Sequence, residues 1–196
     1  MTKQLKQANS EAESKADSDA KQSAQLLSDD ESSARATAIQ DAAEKFSADL
    51  SKDAFSARVN LVESVFAKWQ GDEPFSWADH GQLCVALSDI RARDGLLRRL
   101  HDAEELRANV GEHLNREIDR AHEDWLAPLA TVFGGITWLD GDAELTRTAV
   151  DRALEIDPGY SLAQLLDIAL RHNVPASVWS SSLAAVSFDA CLKGAA

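Results

Sequence analysis

Residues Pro128 to Pro175 read PLATVFGGITWLDGDAELTRTAVDRALEIDPGYSLAQLLDIALRHNVP, and their punctuation decides the fold. Gly141-Asp142 separates two runs of helical apolar periodicity, Asp157-Pro158-Gly159 closes the second run, and Asn173-Val174-Pro175 closes the third. Glycine and proline at such spacings stop helices, so the stretch predicts three helices with tight corners. In the first run Leu129, Val132, Phe133, Ile136 and Leu139 make a stripe, while Gly134 and Gly135 give up helix propensity but allow close backbone contact. In the second run Leu145, Ala149, Arg152, Ala153 and Ile156 share one face, where small Ala149 and Ala153 admit a neighbouring helix. Arg147, Asp151 and Glu155 point elsewhere and are spaced to pair at i,i+4. A helical hairpin follows, with the rest of the chain packed around it.

Gly134, Ala153 and Pro158 stand near the glycine, alanine and proline positions of a tetratricopeptide repeat, a motif of about 34 residues, and the hairpin resembles one such repeat. Ala130, Thr137 and Val150 occupy the repeat's aromatic positions, and no second copy is visible.

Working outward, Ile39, Ala43, Phe46, Leu50, Ala54, Ala57, Leu61, Val65 and Trp69 recur every three or four places, which predicts one long amphipathic helix kinked near Ser51. Gly71-Asp72-Glu73-Pro74 stops it, and Ser76 with Asp79 resembles a capping box. The next helix is expected from Trp77 to Leu100, with Leu83, Ala86, Leu87, Ile90, Leu97 and Leu100 buried and Gly95 marking a bend or a close approach. After a weak break at His101 to Ala103, Leu106, Val110, Leu114, Ile118, Ala121 and Trp125 mark a helix that should end before Pro128. Ala176 to Lys193 reads as one or two short helices, with Gly194 as their stop.

No alternating strand pattern occurs, so the chain reads as all-α: a bundle of about six or seven helices with the tetratricopeptide-like hairpin at its C-terminal side. Residues 36–196 form a single domain. Residues 1–35 read as a polar acidic tail, disordered because Leu5, Leu26 and Leu27 offer too little apolar surface to offset chain ordering.

With 196 residues, 44% of them hydrophobic, the chain can bury one ordinary core. A formal charge of −13 argues against broad binding to nucleic acid or an anionic membrane, since both would repel the protein. Cys84 and Cys191 lack metal-ligand spacing and read as small buried thiols. No apolar leader opens the sequence and no run reaches membrane-spanning length, which points to a cytoplasmic protein.

ALSDIRARDGLLRRL at Ala86 to Leu100, and TWLDGDAELTRTAVDRALEIDPGYSLAQLLDIALRHNVPASVW at Thr137 to Trp179, together resemble the C-terminal half of the bacterial domain of unknown function 4192 family, also met in phages. The resemblance rests on Asp89, Arg93 and Asp94 and on the later Gly-Asp, Arg-Ala-Leu, Asp-Pro-Gly-Tyr and Pro-x-x-x-Trp elements. It spans roughly Phe55 to Trp179, the polar tail and long helix standing in place of the family's N-terminal half. It implies a helical fold in a bacterial or phage cytoplasm and supplies no catalytic residues.

Asp89, Arg91, Arg93, Asp94 and Arg98 form the candidate partner-binding or buried polar site. Arg93 and Asp94 reach the margin of an apolar stripe, where charges either pair structurally or hold a ligand. Arg91, Arg93, Arg98 and Arg99 also make a local positive patch, able to pair with Asp102, Glu104 and Glu105, or to touch phosphates, a partner's acids or the chain's own tail. His113 and Glu117 lie one helical turn apart, and Asp119, His122 and Glu123 cluster on another, but interleaved Arg116 and Arg120 make this a solvated face rather than a metal site. Ser180, Ser181 and Ser182 read as a polar helix turn, and no phosphate loop, nucleophile elbow or Cys-x-x-Cys pair occurs. No catalytic residue, cofactor or metal is expected. The five tryptophans, Trp69, Trp77, Trp125, Trp138 and Trp179, read as core or interface anchors.

The reading that follows is a noncatalytic helical module that binds a protein partner, with self-association left open. An enzyme or metal protein is the alternative, and an acidic mimic of nucleic acid the third.

Overall fold

The computed structural model describes residues 30–71, 73–119 and 123–193. Residues 1–29, and with them most of the expected tail, lie outside the described residues, as do Asp72, Arg120 to His122 and Gly194. The described residues contain ten helices and no strand, and the all-α expectation holds. Helix α1 covers residues 30–50 and is followed by α2 (Ala54–Gln70), α3 (Trp77–Ser88), α4 (Ile90–Asp102) and α5 (Glu104–Ile118). The remainder is α6 (Glu123–Leu139), α7 (Ala143–Ile156), α8 (Ser161–Arg171), α9 (Ala176–Ala184) and α10 (Phe188–Lys193). None of these helices is long and apolar enough to cross a membrane.

At the centre lies α6, every residue of which from Leu126 to Trp138 is buried. A helix with no polar face must be enclosed, and α3, α4, α5, α7, α8 and α9 all pack on it. Its tightest neighbour is α7: a Cβ on Gly134 would lie 3.4 Å from that of Ala149, so the expected hairpin of small residues forms. The stripe on α7 is rotated from expectation, however. Thr146, Ala149, Val150 and Ala153 are buried, whereas Leu145 and Ile156 are exposed and Arg152 is partly so. Close approach favours small side chains over large ones at the contact, and the Thr146 hydroxyl is satisfied by Thr137 Oγ1 at 2.9 Å.

Four expectations need correction. The run from Ile39 to Trp69 is two helices, because Asp53 adopts extended backbone and its carboxylate accepts from the amides of Phe55 and Ser56, both at 3.1 Å. The run from Trp77 to Leu100 also breaks, at Asp89, whose Oδ1 caps α4 by accepting from the Arg91 and Ala92 amides at 3.0 and 2.9 Å. Both acids let the apolar periodicity continue across a cap, and these two breaks, with the C-terminal stretch forming both α9 and α10, raise the helix count to ten where about six or seven were expected. Helix α5 ends at Ile118, and α6 runs through Pro128 rather than stopping before it. Proline at the sixth position removes one hydrogen bond near the helix start, where burial of Leu126 to Trp138 outweighs that loss. Finally, residues 30–35 are helical rather than tail, and Arg35 reaches Glu117 of α5 at 3.0 Å.

Other expectations hold. Ser76 and Asp79 close a capping box at the start of α3. A Cβ on Gly95 would meet Leu192 Cδ2 at 2.7 Å, in keeping with a close approach. Trp69 and Trp138 are buried and Trp125 and Trp179 half-buried, but Trp77 is exposed. Both cysteines are free thiols, Cys84 buried and pushed up to about 11 by that burial, Cys191 half-buried.

A glycine that sequence reading passed over seats α1. A Cβ on Gly81 of α3 would lie 2.3 Å from the Ala38 carbonyl oxygen. Gly81→Ala should therefore cost about 1 to 3 kcal/mol of stability through overpacking, although alanine at an uncrowded helical site would add about 1 kcal/mol. Urea denaturation of the full chain reads the sign: a raised midpoint would show that α1 does not rest on α3.

Candidate functional site

The residues singled out in the sequence separate into ties and lining. Asp89 is a tie: besides capping α4, its carboxylate accepts from Arg58 Nε of α2 at 3.0 Å. Arg98 is another, donating from Nε to the Val186 carbonyl at 2.9 Å and pairing with Asp102, so that α4 holds the turn between α9 and α10. Arg99 leaves the expected patch by pairing with Glu63 of α2, its guanidinium 4.6 Å from the centre of the Phe188 ring. What had looked like one basic patch is mostly a set of interhelical clasps.

Arg93 and Asp94 do meet. Arg93 is only 5% exposed, and its Nε and Nη2 donate to Asp94 Oδ1 at 3.0 and 2.8 Å while Nη1 donates to the Tyr160 hydroxyl at 3.1 Å. A buried guanidinium needs such satisfaction. Burial pushes its pKa down, but Asp94 and Tyr160 together outweigh burial and hold it above its ordinary value.

This pair floors a groove of about 760 Å³ between α4, α8, α9 and α10. Ile90 and Leu165 stand on its rim 60% and 55% exposed, and Val186 is exposed beside them. Arg91 lines it too, exposed and with no side-chain partner among the described residues. The sequence marked Ile90 as buried; the break at Asp89 turns it outward instead.

Two polar groupings escaped sequence reading because they join distant segments. Ser180 Oγ lies 2.9 Å from His101 Nε2, and His101 Nδ1 lies 3.2 Å from Asp102 Oδ1. The order is that of a hydrolase triad, but Ser180 is the fifth residue of α9, where neighbouring amides serve the helix and form no oxyanion hole. Asp102 is also claimed by Arg98.

The second grouping corrects the solvated-face reading of α5. Glu117 is 4% exposed, and its Oε2 receives Arg35 Nη2 of α1 and lies 3.0 Å from His80 Nδ1 of α3. His113, half-buried, faces the Phe75 ring at a centroid distance of 4.1 Å and stacks 6.0 Å from His80. The ligand atoms of His80, His113 and Glu117 all fall within 4.8 Å of one another, so these three could hold a metal ion. Burial pushes the Glu117 pKa up, but His80 and Arg35 outweigh it and hold the carboxyl below its ordinary value. Burial drives His113 down to about 4. His122 and the Glu123 side chain, part of the same sequence cluster, lie outside the described residues.

The family model described as Domain of unknown function (DUF4192) matches residues 1–177, and the chain belongs to that family. The match takes in the N-terminal residues and α1, which the sequence resemblance had set aside. No curated protein and no solved structure matches the chain.

A pH test follows from His113. The unfolded chain takes up a proton on this imidazole near 6.5, the folded chain only near about 4, so acid favours unfolding between those values. Stability should be full above pH 6.5 and fall as pH drops toward 4, with a shallower slope in His113→Gln. Chemical denaturation across that window, with a chelator present so that no cation competes for the ring, measures it; identical slopes would contradict a buried neutral imidazole.

Proposed function

We propose that this DUF4192 member is a noncatalytic helical module that binds a partner protein through the α4, α8, α9 and α10 groove. The observation that carries the reading is the uncovered apolar rim: Ile90, Leu165 and Val186 remain exposed around a concave surface. Clustered apolar side chains on a groove suit an amphipathic helix laid across them. Exposed Arg91 beside that rim, in a chain of net charge −13, selects a partner segment that combines apolar anchors with an acidic residue. The two reduced cysteines suit a cytoplasmic setting, and the α6–α7 hairpin is read as tetratricopeptide-like in a bacterial or phage protein.

Photo-crosslinking residues placed at Leu165 and Ile90, with exposed Glu112 on α5 as control, test this in the native host. Both groove positions should capture the same apolar, acid-bearing segment, and Glu112 should not. A synthetic peptide of that segment should bind the purified chain and lose at least about tenfold in affinity to Leu165→Asp, as expected when a charge replaces an apolar anchor. Equal capture from all three positions, or crosslinks only between copies of this chain, would overturn the reading.

A further inference from the structure

We propose that His80, His113 and Glu117 form a binding site for a divalent transition metal of the zinc class, built from side chains that α3 and α5 hold toward one another. Two imidazole nitrogens and one carboxylate oxygen are a donor set that holds zinc while leaving a fourth position open. The three ligand atoms already lie within 4.8 Å of one another. Donors about 2.0 to 2.1 Å from a tetrahedral zinc sit about 3.4 Å apart, so side-chain rotation of about an ångström completes the site. The i,i+4 spacing of His113 and Glu117 puts both on one face of α5, and α3 brings His80 to them.

An independent observation points to a guest. Among the described residues, the buried side-chain polar atoms without a hydrogen bond are Trp69 Nε1, His80 Nδ1 and His113 Nε2, and all three residues line one cavity of about 370 Å³. Buried polar atoms are nearly always bonded, so three orphans around a single cavity call for an occupant. An ion pair between His80 and Glu117, 3.0 Å apart, would still leave His113 Nε2 and the Trp69 N–H unmatched. A metal satisfies the imidazoles, and water in its fourth position could accept from Trp69.

The nearby cations do not oppose this. Arg35 donates to Glu117 Oε2, the oxygen that also lies nearest His80 Nδ1, and a carboxylate oxygen can accept from an arginine while it ligates, the kind of outer contact that orients a ligating carboxylate. Lys68 and Arg116, at the cavity wall, are paired with Asp79 and Glu112.

The test uses the full chain, stripped with a chelator, titrated with zinc by calorimetry and with cobalt(II) by visible absorption. One zinc per chain should bind, and cobalt should give the intense bands of a tetrahedral site. His113→Gln should weaken zinc binding at least about tenfold with its helical circular dichroism intact, while His172→Gln on the exposed end of α8 should not. Imidazole resonances of the wild-type protein give a readout free of any folding defect: the His80 and His113 rings should shift on zinc addition and His172 should not. No saturable uptake, a shift at His172 alone, or undiminished binding in His113→Gln would overturn the proposal.

Discussion

Enclosure of α6 is the constraint on which the other elements depend. From Leu126 to Trp138 every residue of this helix is buried, so its two threonines bond within the fold: Thr131 to the Ala127 carbonyl at 2.7 Å and Thr137 to that of Gly134 at 3.1 Å. Enclosure also fixes the neighbours. Gly134 brings α7 close, and Trp179 of α9 donates its indole N–H to the Gly135 carbonyl at 3.1 Å while stacking on Trp138. Burying so much apolar surface around one helix also explains why Pro128 is tolerated inside it.

What the sequence disclosed is what local chemistry writes into neighbouring residues. The corners at Gly141-Asp142, Asp157 to Gly159 and Asn173 to Pro175 fall where glycine and proline placed them, and the Arg147–Asp151 pair forms at i,i+4. Caps made by Asp53 and Asp89 were hidden because the apolar rhythm runs through them without a glycine or proline to mark the stop. The candidate polar site was half legible: Arg93 and Asp94 are adjacent in sequence and pair, but Tyr160, their third member, is 67 positions from Arg93. His80 could not be linked to His113 and Glu117, because only the tertiary fold brings the side chains of α3 and α5 together there. Arg107 carried no mark at all, yet it is buried and donates to Asp140 at 2.6 Å.

Charge serves two ends in this acidic chain. Arg58, Arg99 and Arg107 tie one helical segment to another and Arg98 ties α4 to the α9–α10 turn, so Arg98 and Arg99, which looked available to an anion, are spent within the fold, and Arg91 alone of the four in the expected patch has no side-chain partner among the described residues. The groove built from α4, α8, α9 and α10 and the cavity around His80, His113 and Glu117 draw on different helices. A substitution in one therefore leaves the other's residues in place, and binding of a partner and of a metal can be read separately.

Native-state hydrogen exchange tests the central role of α6 most directly, since enclosed amides open only with the whole fold. Amides from Leu129 to Trp138 should exchange last, at the free energy of global unfolding, with those of α9 and α10 opening earlier. Exchange in α6 as fast as in α9 and α10 would contradict a bundle organised around it.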